Sequence, residues 1–378
     1  MFDEQKEIIS KQNNLKENLS YFITKKNLYQ MVPSPKNFKY RNNIMFSIGY
    51  DKDGKIEVGP FESPNSKIII SAEENLLVSD LGIIICSYIK EWVSEHSVLQ
   101  VTKYPEFNGF WRHIQIKQND KNEFILGFRI GDFYFYESTW RNEKYRLINF
   151  ILTRKELISN RYKLLNISYQ LCFGKKEPLS SEPFYEIYNE GDLIQSVLDK
   201  QFIINMGCFF QVNSTTTKLI YGIVKNIIKK NDVLFDFCCG IGMYSIILSK
   251  YFKNIYAIDS NESNIILGQK NQELNKINNI DFIVGNIQDE VKDLIWKHNN
   301  KNKTLVINPP RRGLYNIVLE SINNYMSQFK QIIYISCNAE TLKRDLDKLY
   351  LGKKKIRNII PINQFPNTSH YEIIVNIY

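Results

Sequence analysis

The chain is 378 residues long, 43% hydrophobic and 24% charged, an ordinary composition for roughly two domains of about 150 residues each. Its apolar runs are strand-sized, well short of the roughly 18 residues of a membrane span, and six cysteines with no C-x2-C spacing argue against a disulfide framework, structural zinc or an iron–sulfur cluster. The net charge of +9, of which +8 falls in residues 206–378, favours an acidic partner, and nucleic acid is the usual one.

The opening MFDEQKEIIS has three acids in seven residues and neither an apolar signal core nor an Arg-rich transit look, so the expectation is a cytoplasmic or nuclear protein, monomeric by default. Residues 3–30 carry apolar positions at helical spacing until Pro33 and Pro35 break the pattern. From Tyr40 to about Asn205 the rhythm is short and alternating. NIMFSIGY and KIEVGPF flank a turn at 51–54, and WRHIQIK and FILGFRI flank another at 119–122. DFYFYES and LLNISYQLCF read as further strands, and 81–96 reads as a helix. The reading is an α+β domain on antiparallel sheet.

After Phe209 strands and helices alternate: VLFDF, NIYAID, DFIVG, TLVIN and IIYIS are each followed by a helical stretch, and IRNIIPI and EIIVNIY close the chain without a helix between. This predicts an α/β fold with a doubly wound C-terminal sheet and one antiparallel strand inserted at its edge. The expected division is a leading helix at 1–30, an α+β RNA-binding domain at 31–205 and a Rossmann-like domain at 206–378.

The first strand of the C-terminal half ends in Asp236-Phe-Cys-Cys-Gly240-Ile-Gly242, and the second ends in Asp259, 23 residues on. Glycines at a helix N-terminus and an acid at the next strand end suit a nucleoside cofactor. Ser245 stands where a nicotinamide site wants a third glycine, so S-adenosylmethionine, which has no phosphate, is the better guest. The fourth strand runs into Asn308-Pro309-Pro310-Arg311-Arg312-Gly313, and the fifth into Ser336-Cys337-Asn338. A lone cysteine is ordinarily a small core residue, but a thiol before a helix sits at the positive end of its dipole, where its pKa is expected to fall. If the last strand runs antiparallel, Glu372 faces Cys337, and a nucleophile, a carboxylate and a cofactor cradle meet at one rim. Arg311-Arg312 and the run Lys353-Lys354-Lys355-Ile-Arg357 are candidate phosphate contacts.

These residues resemble the S-adenosylmethionine-dependent RNA uracil-C5 methyltransferases, the family that makes 5-methyluridine. The resemblance rests on GCFFQVN (207–213), DFCCGIG (236–242), NPPRRGL (308–314), YISCNAETL (334–342) and FPNTSHYE (365–372). SPKNFKYRNN (34–43), YPEFNGFWRHIQIK (104–117) and the pair Cys238-Cys239 resemble its eukaryotic transfer-RNA branch. The resemblance implies Cys337 as nucleophile, Glu372 as base, Gln211, Cys238, Asp259 and Asn308 around S-adenosylmethionine, Asn286 near the adenine, and no metal. Most of the family has Asp where Asn308 stands. The marks in 34–117 make transfer RNA, at the T-loop uridine, the first implied target, and Asn308 with Asn338-Ala339 makes large-subunit ribosomal RNA the second. Two other readings compete: amino-methylation of a base, which leaves Cys337 idle, and a non-catalytic RNA-binding or RNA-folding protein.

Overall fold

A computed structural model describes residues 3–131, 133–173, 182–298, 301–352 and 354–378. Lys353 of the basic run lies outside them. The chain forms two compact units: one from the residues up to Asn37, Ser196–Phe202 and Thr215–Tyr378, the other from Phe38–Gln195 and Ile203–Ser214. The leading segment thus belongs to the same unit as the C-terminal sheet instead of standing apart at 1–30, and segments 196–202 and 203–214 alternate between the units around the expected boundary at 205/206.

In chain order, α1 (Glu4–Asn18) precedes β1 (Asn43–Tyr50), β2 (Ile56–Gly59), α2 (Asp80–Glu91), β3 (Trp111–Gln118), β4 (Glu123–Ile130), α3 (Phe133–Leu152), the short α4 (Lys155–Ile158), β5 (Lys163–Leu171) and β6 (Tyr185–Asn189). β7 (Leu193–Val197) and β8 (Lys200–Ile204) form a two-stranded ribbon. Among the described residues, the sheet of the second unit runs β2-β1-β3-β4-β5-β6. Both expected turns are present: Gly54 (φ 75°) closes β1 to β2, and Asn122 (φ 61°) closes β3 to β4, left-handed conformations that Gly and Asn adopt most readily.

DFYFYES does not form the strand its alternation suggests. It opens α3, whose buried Trp140, Glu143, Leu147 and Ile151 recur every three or four residues, so a helical face longer than the alternating stretch decides the conformation. One consequence is topological. With a helix between them, β4 and β5 pair in parallel, because a parallel pair needs a crossover of a dozen or more residues. The sheet is therefore mixed, and β6, β7 and β8 add strands that the alternation at 185–204 is too short to announce.

The first unit continues with α5 (Ser214–Ile227), β9 (Asn231–Phe237), α6 (Met243–Ile247), β10 (Phe252–Asp259), α7 (Glu262–Leu274), β11 (Ile280–Val284), α8 (Ile287–Lys297), β12 (Lys303–Ile307), α9 (Asn316–Asn324), β13 (Phe329–Ser336), α10 (Ala339–Lys348), β14 (Ile356–Ile362) and β15 (Glu372–Ile377). Its sheet runs β11-β10-β9-β12-β13-β15-β14. β9 to β13 pair in parallel, and β15 is antiparallel to both its neighbours. β15 is thus inserted one place in from the edge. The central strands are buried along their length, as strands covered by helices on both faces must be.

The N-terminal segment finishes this unit. Leu28 and Val32 bridge in parallel to Ile359 and Ile362 of β14, through Tyr29 N to Ile359 O (3.0 Å) and Val32 N to Pro361 O (2.9 Å). The exposed edge that β14 would present is thereby covered. α1 starts at Asp3, whose carboxylate accepts from Lys6 N (3.1 Å), and buries Leu15 and Leu19 in the core that holds Phe235, Leu305 and Val375. Leu15→Ala is expected to cost about 2–4 kcal/mol in a denaturant melt of the whole chain. A cost near zero would mean that α1 contributes nothing to this core.

Candidate active site

β9 and β12 are neighbours from which the chain winds outward in opposite directions, to β10 and β11 on one side and to β13 on the other. Ligands of open α/β sheets settle at such a switch point, beyond the carboxyl ends of the strands. Cys238, Asp259, Asn286 and Asn308 follow or end β9, β10, β11 and β12 in turn.

The turn after β9 is held in place by both aspartates of the motif. Asp236 is fully buried, and its Oδ2 accepts from Ser245 N (3.0 Å) and Ser245 Oγ (2.6 Å). Burial pushes its pKa up to about 7, with Asp259 adding to the rise. Asp259 Oδ2 accepts from Gly240 N (2.9 Å), and its Oδ1 accepts from Asn261 N (2.9 Å) and Asn264 Nδ2 (3.2 Å). Cys238, Gly240 and Gly242 all have positive φ (59°, 55° and 77°). A Cβ on Gly242 would meet the Phe282 ring at 2.5 Å, whereas one on Gly240 meets nothing within 4 Å. Gly242 is thus required by packing, and the space above Gly240 is open for a ligand to approach the backbone. This glycine turn, with open space above Gly240 and a carboxylate beside it, fits the nucleoside end of S-adenosylmethionine.

Asn308 is half-buried, and its amide donates to Phe237 O (3.3 Å), which ties the loop after β12 to the end of β9. Asn286 is exposed and donates to Asp289 Oδ2 (3.3 Å). Burial, with Asp259 and Asp236, pushes the Cys238 thiol up to about 12, so it is a neutral wall residue. Gln211 lies on the 203–214 segment, which belongs to the second unit.

The register of β13 against β15 brings Cys337 and Glu372 to one rim of the sheet. Ser336 pairs with Ile373 at the end of the ladder, and Cys337, the residue after β13, comes next in order to Glu372, near enough for the Glu372 charge to act on the thiol. Cys337 is half-buried, and Glu372 is 4% exposed. Burial raises the Glu372 carboxyl to about 8, Arg311 pulling against the rise, and among the described residues its Oε2 has no hydrogen-bond partner.

The thiol differs from the sequence expectation. Its pKa is not lowered at the start of α10. Burial first, and then the nearby Glu372 charge, push it up to about 11 against the pull of Arg311. The helix amides that would have favoured a thiolate are already taken, since Asn338 Oδ1 accepts from Glu340 N (2.9 Å) and Thr341 N (3.3 Å).

Sequence reasoning missed the residues that aim Arg311. Fully buried Asp345 of α10 accepts from Leu314 N (2.8 Å) and Tyr334 Oη (2.5 Å) and pairs with Arg344 at 2.5 Å. Arg344 donates to Arg312 O (2.9 Å), and Thr341 Oγ1 donates to Arg311 O (3.1 Å). Gly313 turns the loop at φ 72°, and a Cβ there would meet Asp345 at 2.6 Å. The available signal was an acid at position 345 between the apolar positions 342 and 346 of α10. Tyr221 and Tyr244, buried with rings 4.6 Å apart, also feel the Glu372 and Asp236 charges and were not anticipated.

Residues 191–377 match the model of the family described as tRNA (uracil-5-)-methyltransferase. The chain is 28% identical over 343 residues to an uncharacterized RNA methyltransferase of Clostridium tetani, covering 89% of this chain and 70% of that one. It is 29% identical over 373 residues to a putative RNA methyltransferase of Acanthamoeba polyphaga mimivirus, covering 92% and 87%. The solved tRNA (uracil-54, C5)-methyltransferase of Pyrococcus abyssi, in complex with S-adenosyl-L-homocysteine, superposes with a TM-score of 0.76 at 22% identity, over all of this chain and 84% of that one. This last likeness establishes the shared fold.

The raised carboxyl of Glu372 has a thermodynamic consequence. An unfolded chain releases that proton near 4.5 and the folded one near 8, so the folded state holds the extra proton in between and loses stability as pH rises through that window. Glu372→Gln is therefore expected to melt with wild type below pH 4.5 and above it, by on the order of 5–10 °C, at pH 8. Equal melting temperatures at both pH values would show that the carboxyl is not held protonated.

Proposed function

From the premise that residues 191–377 belong to the tRNA (uracil-5-)-methyltransferase family, we propose that this S-adenosylmethionine-dependent RNA methyltransferase forms 5-methyluridine through Cys337 and Glu372. The observation that carries the reading is the β13/β15 register, which brings a thiol and a buried carboxyl to one rim of the sheet. Cys238, Asp259 and Asn308 would line the cofactor beside them; Gln211 is proposed with them on its resemblance within GCFFQVN (207–213) alone.

Uracil C5 is a poor nucleophile until electrons are pushed into its ring. Cys337 Sγ supplies them by bonding to C6, and the electron pair moves through C5 and C4 to O4. Arg311, which acts on both Cys337 and Glu372, would stabilise that oxygen and favour the thiolate form. Bound S-adenosylmethionine supplies a methyl group electrophilic enough for C5 to attack. The Glu372 carboxylate then takes the C5 proton, the C5=C6 bond re-forms, and Cys337 leaves as thiolate. Glu372 must be ionised for this step, so proton removal is expected to speed up as pH approaches about 8. A ring lying between sulfur and methyl donor has to leave its stack, at a cost of a few kcal/mol that is smallest in loops.

Transfer RNA at the T-loop uridine is our first substrate; large-subunit ribosomal RNA is second, because of Asn308. Mapping 5-methyluridine in total RNA from cells lacking the protein distinguishes them by which RNA loses the base. The chemistry is tested with RNA carrying 5-fluorouridine at the target, where fluorine blocks proton removal. A covalent adduct that vanishes in Cys337→Ala is expected, with cofactor affinity unchanged within about threefold, since one half-buried side chain outside the cradle is removed. Glu372→Gln is expected to trap a methylated adduct on ordinary uridine RNA. No adduct from wild type would favour a non-catalytic RNA-binding role.

A further inference from the structure

A cavity of about 430 Å³ opens beside the nucleophile, between α1, the start of α10 and the loop ahead of β15. Its size is within the range of small-molecule pockets. Its walls include Ser10, Asn14, Cys337, Asn338, Thr368 and Ser369. Among the described residues, Glu372, Arg311, Asp259 and Asn308 do not line it, so it leaves Cys337 on a side not shared with the carboxyl or the cofactor cradle.

The connectivity of uridine gives that side a meaning. Two ring atoms flank C6: C5, which must face the methyl donor and Glu372, and N1, which carries the ribose. When Cys337 holds C6, the direction away from Glu372 leads through N1 to the sugar. The chemistry of the walls agrees. The cation of the α1 wall is spent on its neighbours: Lys11 Nζ donates to Glu7, to Asn363 Oδ1 (2.7 Å) and to Phe365 O (3.0 Å). Glu7 also accepts from Asn367 N (3.1 Å), and Glu340, also in the lining, adds a carboxylate that repels a phosphate. The Ser10 and Ser369 hydroxyls make no hydrogen bond among the described residues and lie at exposed positions. Uncharged donors and acceptors suit sugar hydroxyls better than a phosphate, and a 2′-hydroxyl is what tells RNA from DNA at a given site.

We infer that this cavity receives the ribose of the reacting uridine and reads its 2′-hydroxyl, so that the N-terminal helix is part of the RNA site. The inference rests on the uracil-C5 reading above. Its test compares two otherwise identical RNA hairpins, one with 5-fluorouridine and one with 2′-deoxy-5-fluorouridine at the target, by the rate of covalent adduct formation. Wild type is expected to be about fivefold slower on the deoxy hairpin, the worth of roughly one hydrogen bond. Ser10→Tyr and Ser369→Tyr, which fill the cavity from surface positions, are expected to slow the ribo hairpin at least tenfold and to erase the ribo/deoxy difference, with S-adenosylmethionine affinity and melting temperature unchanged. Equal wild-type rates on both hairpins would overturn the inference, as would full rates in both filled variants, or a deoxy penalty confined to a flanking nucleotide. No adduct from wild type on either hairpin would remove the uracil-C5 reading and this one with it.

Discussion

The antiparallel register of β15 against β13 is the constraint on which the site depends. Because Ser336 pairs with Ile373, the residue after β13 and the first residue of β15 come together at one rim of the sheet. A one-residue slip would turn Glu372 to the other face of the sheet and would move the apolar residues of β15 out of the core. The strand is buried at every position, so the hydrophobic burial that stabilises the sheet also holds sulfur and carboxyl together.

Around that pair, buried polar groups are managed in two ways. Asp345, Asp236 and Lys11 each hold several hydrogen bonds and shape backbone: Asp345 holds the loop of Arg311, Asp236 holds the first turn of α6 through Ser245, and Lys11 ties α1 to the segment before Glu372. Among the described residues Glu372 Oε2, like Asp236 Oδ1, is buried with no partner. A buried carboxyl without a full set of partners keeps its proton more tightly. The same desolvation raises the thiol of Cys337, so Arg311 is the positive charge on which both groups draw. A resting site of neutral thiol and largely protonated carboxyl follows.

The N-terminal residues have a second role besides completing the core. Residues 28–32 cover the edge left by β14, and α1 supplies one wall of the cavity at Cys337. The N-terminal segment that closes the sheet therefore also borders Cys337. Tyr371, next to Glu372, donates to Asn14 Oδ1 (2.8 Å), so the position of the helix and that of β15 are linked by direct contact.

The sequence by itself determined the alternation of strands and helices after Phe209, the glycine turn, the acid at the end of β10 and the candidacy of Cys337 and Glu372. Each of these is local: a run of apolar residues, a backbone that must turn left-handed, or a polar residue at a strand end. Where two local signals overlapped, as in DFYFYES, the longer helical face of Trp140, Leu147 and Ile151 prevailed, and only the folded core could arbitrate. Tertiary structure alone decided that β4 and β5 pair in parallel, that the N-terminal residues up to Asn37 join the C-terminal unit, and that Asp345 and Arg344 hold the loop of Arg311. It also decided the charge state of the site. A pKa depends on what surrounds a group in space, and neither the burial of Cys337 nor the capping of α10 by Asn338 is written in the spacing of residues along the chain.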